Sequence, residues 1–134
     1  MKHKAGSAST RCSLLVVEDV DDTREFLGRA LELSGYSVQL ARNGLEALEL
    51  LSRYRFDAVL TDLVMPQMSG LDLIRITREN PDTAGVPIIV MTAAAGAGLA
   101  EAIPADAFLR KPFPFQPLLQ LLAHFDCRPL PAAA

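Results

Sequence analysis

Short apolar runs alternate with helix-period segments along most of this chain, and four of the runs end on residues able to hold a phosphate or a metal. Leu14-Leu15-Val16-Val17 runs into Glu18 and Asp19, and Ala58-Val59-Leu60 into Thr61 and Asp62. Ile88-Ile89-Val90-Met91 runs into Thr92, and Ala107-Phe108-Leu109 passes through Arg110 into Lys111 and Pro112. Short apolar runs separated by helical patterns read as parallel strands of an open α/β sheet. In such sheets, sites form beyond the carboxyl ends of the strands. Acids, a hydroxyl and a lysine that are distant in sequence should therefore meet at one sheet edge.

The full pattern predicts five β–α units. Strands are expected over 13–17, 36–40, 58–61, 87–91 and 107–110. A first helix over 22–34 places Phe26, Ala30 and Leu33 on one stripe, with Leu27 and Leu31 beside it, and Gly35 closes it. Tyr36, Val38 and Leu40 alternate with Ser37 and Gln39, which predicts a half-exposed strand at a sheet edge. Asn43 is placed to cap a second helix carrying Leu45, Leu48 and Leu51. Ser69 and Asp72 form a capping pattern for a third helix, which ends before Pro81. The segment 93–103 is alanine-rich, with Gly96 and Gly98, each costing a helix about 1 kcal/mol relative to alanine. A short or frayed fourth helix is expected there. Pro117 suits the first turn of a last helix that points Leu118, Leu121, Leu122 and Phe125 inward and Gln116, Gln120 and His124 outward.

With 134 residues, half of them hydrophobic, the chain has the size of one domain. We expect tails at 1–11 and 127–134, the first disordered, around a domain at 12–126. The net charge, 13 − 16 = −3, gives no reason to expect nucleic-acid binding. No apolar stretch is long enough for a membrane span, and 1–10 has no apolar signal region. A cytoplasmic protein is expected. Cys12 and Cys127 are read as reduced thiols in preference to a disulfide, although both belong at the bottom of the sheet.

Glu18, Asp19 and Asp62 give three carboxylates at one edge. Such crowding is unfavourable unless a cation intervenes. Oxygen-only ligands with room for water suit Mg²⁺. An aspartate in that setting can attack phosphorus to form an aspartyl phosphate. Lys111 supplies an ammonium, and the Thr92 hydroxyl can donate to a phosphoryl oxygen.

These residues carry a resemblance to the receiver domain of two-component response regulators, covering nearly everything from Ser13 to about Phe125. Its motifs are Glu18-Asp19, the run from Asp62 through Met65-Pro66 to Met68-Ser69-Gly70, Thr92-Ala93, and Lys111-Pro112-Phe113. The resemblance implies a flavodoxin-like doubly wound fold with sheet order 2-1-3-4-5. It implies that Asp62 accepts a phosphoryl group from the phosphohistidine of a histidine kinase or histidine phosphotransfer protein. Asp19 and Asp62 would bind Mg²⁺ directly, Glu18 through a water, and Val64 through its main-chain carbonyl. Lys111 would pair with the acids and then with the phosphoryl group. Thr92 and Phe108 would be the switch residues, and the Lys111–Pro112 bond would be cis. Such a protein is a switch, not an enzyme acting on a separate substrate. It would signal to a downstream protein through the 93–103 segment, the fifth strand and the last helix, as a monomer or weak homodimer. The chain departs from the family in Glu18, where aspartate is more usual, and in Pro104, where glycine is common. The span from Thr92 to Lys111, 111 − 92 = 19 positions, is also about one helical turn short.

Two other readings compete. Asp19-Val20-Asp21-Asp22-Thr23 resembles the nucleophile motif of haloacid-dehalogenase-type phosphatases, which would make Asp19 the nucleophile and Asp21 the acid. Alternatively the domain is a pseudo-receiver, a pure interaction module, which a missing acceptor, acid pair or lysine would favour.

Overall fold

The computed structural model describes residues 3–4, 12–93 and 102–129. Among the described residues, the domain's main sheet and helices are β1 (Ser13–Val17), α1 (Asp21–Leu33), β2 (Ser37–Ala41), α2 (Gly44–Arg53), β3 (Ala58–Asp62), α3 (Gly70–Glu79), β4 (Ile88–Thr92), β5 (Ala107–Arg110) and α4 (Phe115–His124). The five strands pair in parallel in the order β2-β1-β3-β4-β5. The flavodoxin-like order expected from the sequence is therefore the one observed. β1 lies between β2 and β3, so the connections leave the sheet in opposite directions from this point.

Period-two alternation divides the sheet's side chains between two cores. Leu15, Val17, Val59 and Val90 pack with Ala47, Leu51, Leu73 and Ile74 of α2 and α3. Leu14, Val16, Leu60, Ile89 and Met91 pack with Leu27, Leu31, Leu118 and Leu122 of α1 and α4. β2 is the expected edge strand, with Ser37, Val38 and Gln39 only half-buried.

Local chemistry sets the element ends. Gly35 adopts φ 104°, which spares a Cβ clash. Its N–H donates to Glu32 O (3.0 Å), and the Tyr36 N–H to Leu31 O (3.1 Å), closing α1. The Asn43 side chain accepts from the Glu46 N–H (2.9 Å), and Ser69 from the Asp72 N–H (3.2 Å), as their positions predict. Two aspartates that the sequence reading passed over stitch strand beginnings together. Asp57 accepts from the Ser13 N–H (2.7 Å) just before β3, and Asp106 from the Ile88 N–H (2.7 Å) just before β5.

Three expectations need correction. Phe26 and Leu33 are 74% and 81% exposed, whereas Leu27, Gly28 and Leu31 are buried. At 100° per residue, the Leu27–Leu31 ridge turns Phe26 and Leu33 to the opposite side of α1. Gly28 lets the helix sit close, since a Cβ there would lie 2.8 Å from Leu40 Cδ2. Second, Cys12 and Cys127 are joined in a disulfide, with Cα atoms 5.4 Å apart. The start of β1 and the chain after α4 converge at the base of the sheet, beside Tyr36, whose hydroxyl donates to Cys127 O (3.2 Å). Third, His3–Lys4, expected in a disordered tail, pair in parallel with Tyr54–Arg55. The rest of that tail, residues 94–101 of the expected fourth helix, and 130–134 lie outside the described residues.

Candidate phosphoryl-acceptor site

The carboxyl ends of β1, β3 and β4 and the turn after β5 converge on one constellation. β1 delivers Glu18, whose N–H continues the ladder onto Ala41 O (3.0 Å) and whose side chain is fully buried. Asp19 follows, half-buried. Val17 stands in register with Thr61, which sets Asp62 beside the acidic pair. Carboxylate oxygens of Glu18, Asp19 and Asp62 lie within 4.8 Å of one another.

Asp62 is held from both sides. Its Oδ1 accepts from the N–H groups of Leu63 (2.7 Å) and Val64 (3.3 Å), and its Oδ2 from Lys111 Nζ (2.8 Å). The Lys111 ammonium also donates to Glu18 Oε1, bridging the two acids. Burial alone would push the Lys111 ammonium down. The hydrogen bonds it donates to Asp62 and Glu18 outweigh that and hold its pKa above the ordinary lysine value. Lys111 is placed by its N–H, which donates to Thr92 O (2.8 Å) and extends the β4–β5 ladder one step. The bond from Lys111 to Pro112 is cis, as the resemblance implied.

Thr92 ends β4 and is almost completely buried. Val64 is 73% exposed at the mouth of the site. Phe108 is half-buried in β5, opposite Val90, and packs on the α2–α3 side of the core. Met65 is buried and Met68 half-buried, so both serve as loop packing. A cleft of about 690 Å³ opens beside Lys111, between Thr23, Phe26 and Leu27 of α1 and Phe113 and Phe115.

Two residues that shape the site escaped sequence reasoning. Gly70 begins α3, and its N–H donates to Leu63 O (2.8 Å). A Cβ at Gly70 would stand 2.0 Å from Asp62 O, so only glycine lets α3 start against the Asp62 backbone. The Met65–Gly70 run contains the signal, but the clash is visible only in three dimensions. Arg24 is the second: it is buried, donating to Glu18 O (2.9 Å) and Asp21 Oδ1 (2.5 Å). Its place one turn into a helix after an acidic pair was the available clue. Asp21 is 76% exposed and turned onto Arg24.

A strand-edge acid cluster bridged by one lysine, on a 2-1-3-4-5 sheet, is the arrangement against which known families are compared. The model of the response regulator receiver domain matches residues 14–123, and the chain belongs to that family. It is 43% identical over 111 residues to response regulator MprA of Mycobacterium sp. strain KMS, covering 79% of this chain and 46% of that protein. The chain thus spans less than half the length of that relative. Among solved structures it resembles chemotaxis protein CheY4 of Vibrio cholerae (TM-score 0.81, 28% identity, 87% of this chain and 99% of that one). It also resembles the receiver domain of sensor histidine kinase PA1611 from Pseudomonas aeruginosa PAO1 (TM-score 0.80, 30% identity, 87% and 98%), whose structure holds a magnesium ion in the active-site cleft. This is a receiver domain of the two-component response regulator type. Among the described residues no helix is long and apolar enough to cross a membrane.

Proposed function

We propose that this domain is a switch in which Asp62 takes a phosphoryl group from the phosphohistidine of a histidine kinase or histidine phosphotransfer protein. One observation carries the reading: Lys111 bridges Glu18 and Asp62 over a three-carboxylate cluster at the switch point of the sheet. An Asp62 carboxylate oxygen forms the bond to phosphorus as the phosphorus–nitrogen bond breaks, and the imidazole nitrogen keeps the electron pair. Lys111 then exchanges part of its pairing with Asp62 for the new phosphoryl oxygens, and Thr92 donates its hydroxyl to them. Phe108, on the strand beside Thr92, follows that movement.

The donor set fits a hard divalent cation, being all oxygen, clustered and open on one side. Asp19 and Asp62 would hold Mg²⁺ directly, Glu18 through a water and Val64 through its main-chain carbonyl. When bound, it supplies positive charge against the transferred group. The magnesium in the PA1611 receiver supports this assignment.

The phosphorylated domain changes its affinity for a downstream protein through the 93–103 segment, β5 and α4. Its chemistry is confined to its own phosphorylation and dephosphorylation, and it works in the cytoplasm as a monomer or weak homodimer. The test is intact-mass measurement after incubation with acetyl phosphate and Mg²⁺, on wild type and on Asp62→Asn. One added phosphoryl mass on wild type alone supports the reading. Label on neither protein would leave the pseudo-receiver module as the better account.

A further inference from the structure

We infer that Arg24 positions the acidic pair and so sets the affinity of the site for a divalent cation. The inference rests on the cation reading above. Arginine is seldom buried unless its charge is paired, yet Arg24 is only 8% exposed. Its guanidinium reaches back across the turn between β1 and α1, donating from one nitrogen to the main-chain carbonyl of Glu18 (2.9 Å) and from another to Asp21 Oδ1 (2.5 Å). Val20, which stands at the N-cap of α1, offers no side-chain cap.

The Glu18 backbone is therefore pinned on both sides. Its N–H is fixed by the sheet through Ala41 O, and its carbonyl by Arg24. The peptide unit after Glu18 is planar, so holding its oxygen also fixes the direction in which Asp19 leaves it. Asp19 makes no such backbone ladder bond of its own among the described hydrogen bonds. Arg24 touches none of the reacting groups. It acts through the turn, as a positioning residue.

The sign of the effect separates this role from simple electrostatics. A cation beside an acidic cluster repels a second cation, so deleting its charge would tighten Mg²⁺ binding. A positioning role predicts the opposite. Mg²⁺ binding is measured by isothermal titration calorimetry, without phosphodonor, on the whole chain. Arg24→Gln should weaken binding at least fivefold. Arg24→Lys, which keeps the charge and one bond, should recover part of the loss. Denaturant unfolding in EDTA reads stability separately. Unchanged or tighter binding in folded Arg24→Gln overturns the inference. Should Arg24→Gln not fold, the pair Asp21→Asn and Asp22→Asn decides. Both remove one negative charge, but only Asp21 is bonded to Arg24, so Asp21→Asn should weaken binding more. Equal effects overturn the inference. No Mg²⁺ heat from wild type overturns the cation reading itself, and this inference with it.

Discussion

At the residue scale, the site is a balance between three carboxylates and one ammonium. Lys111 is the side chain that bridges Glu18 and Asp62, so Lys111→Met should leave Asp62 in place but strip the charge that follows the phosphoryl group. We expect acetyl phosphate labelling of Asp62 to slow by at least tenfold in that variant, while Mg²⁺ binding strengthens because a competing cation has gone. Labelling at the wild-type rate would remove Lys111 from the reaction. Gly70→Ala is the opposite kind of change, since it adds one methyl group against the Asp62 carbonyl, with only 2.0 Å available. Backbone must move, and a cost of about 2–4 kcal/mol is expected, read as a lowered denaturant midpoint. A midpoint equal to wild type would show that α3 can pull away from Asp62 at little cost. The acids, hydroxyl and lysine of the site were legible in sequence because each lies within two residues of the end of an apolar run. Gly70 and Arg24 were not, because their roles depend on contacts across turns that no periodicity records.

Each element follows from its own local signals, and the misreadings are local too. The second helix starts at a cap in which Asn43 accepts from Glu46 while the Glu46 carboxylate accepts from the Arg42 N–H (2.8 Å) and guanidinium (2.7 Å). Those side-chain and backbone bonds from Arg42 hold the Glu46 carboxyl below the ordinary 4.5. A depressed folded pKa stabilises above the unfolded value and is lost as pH falls through the folded one. Stability from this cap should therefore persist from pH 7 to about 5 and fade below about 4.5. Glu46→Gln should lower stability by about 0.5 kcal/mol at pH 7 and have no effect at pH 3, measured by urea unfolding at both values. A difference that persists at pH 3 would assign the effect to packing. Asn43 and Ser69 were readable as caps because capping needs only sequence spacing. The buried face of α1 was not, because Phe26 and Leu33 are as apolar as Leu27 and Leu31. Only the docking allowed by Gly28 decides which pair turns inward.

For the whole molecule, alternation marked the second strand as an edge strand, and the parallel order β2-β1-β3-β4-β5 followed from the resemblance to receiver domains. The closure at the base was not legible. Cys12 and Cys127 are 115 positions apart, and although the fold reading put both at the bottom of the sheet, neither spacing nor composition indicates that they come within bonding distance. The disulfide closes nearly the whole chain, so reduction should restore freedom to the unfolded state and lower stability by up to about 5 kcal/mol on loop entropy alone, read as a lowered denaturant midpoint. Cys12→Ser should match the reduced wild type, and equal midpoints before and after reduction would contradict this. The same corner contains Tyr36, fully buried, whose phenol is raised above 10.0 by burial, with Arg128 opposing. The folded state holds this proton more tightly than the unfolded one. The contribution is therefore intact below pH 10 and lost as pH rises through the folded value. Tyr36→Phe should abolish that part of the alkaline fall in stability; an identical fall in both proteins would place its origin elsewhere.

We propose the Asp62 carboxylate, set between the acidic pair and Lys111, as the group that carries the phosphoryl. Peptide mapping by mass spectrometry, after acetyl phosphate and Mg²⁺ and reduction with borohydride, reads the modified position directly, since an acyl phosphate is reduced where a free carboxylate is not. Conversion is expected at Asp62 alone, absent in EDTA and in Asp62→Asn. Modification at Asp19 or Asp21, or equal conversion with and without Mg²⁺, would overturn that assignment.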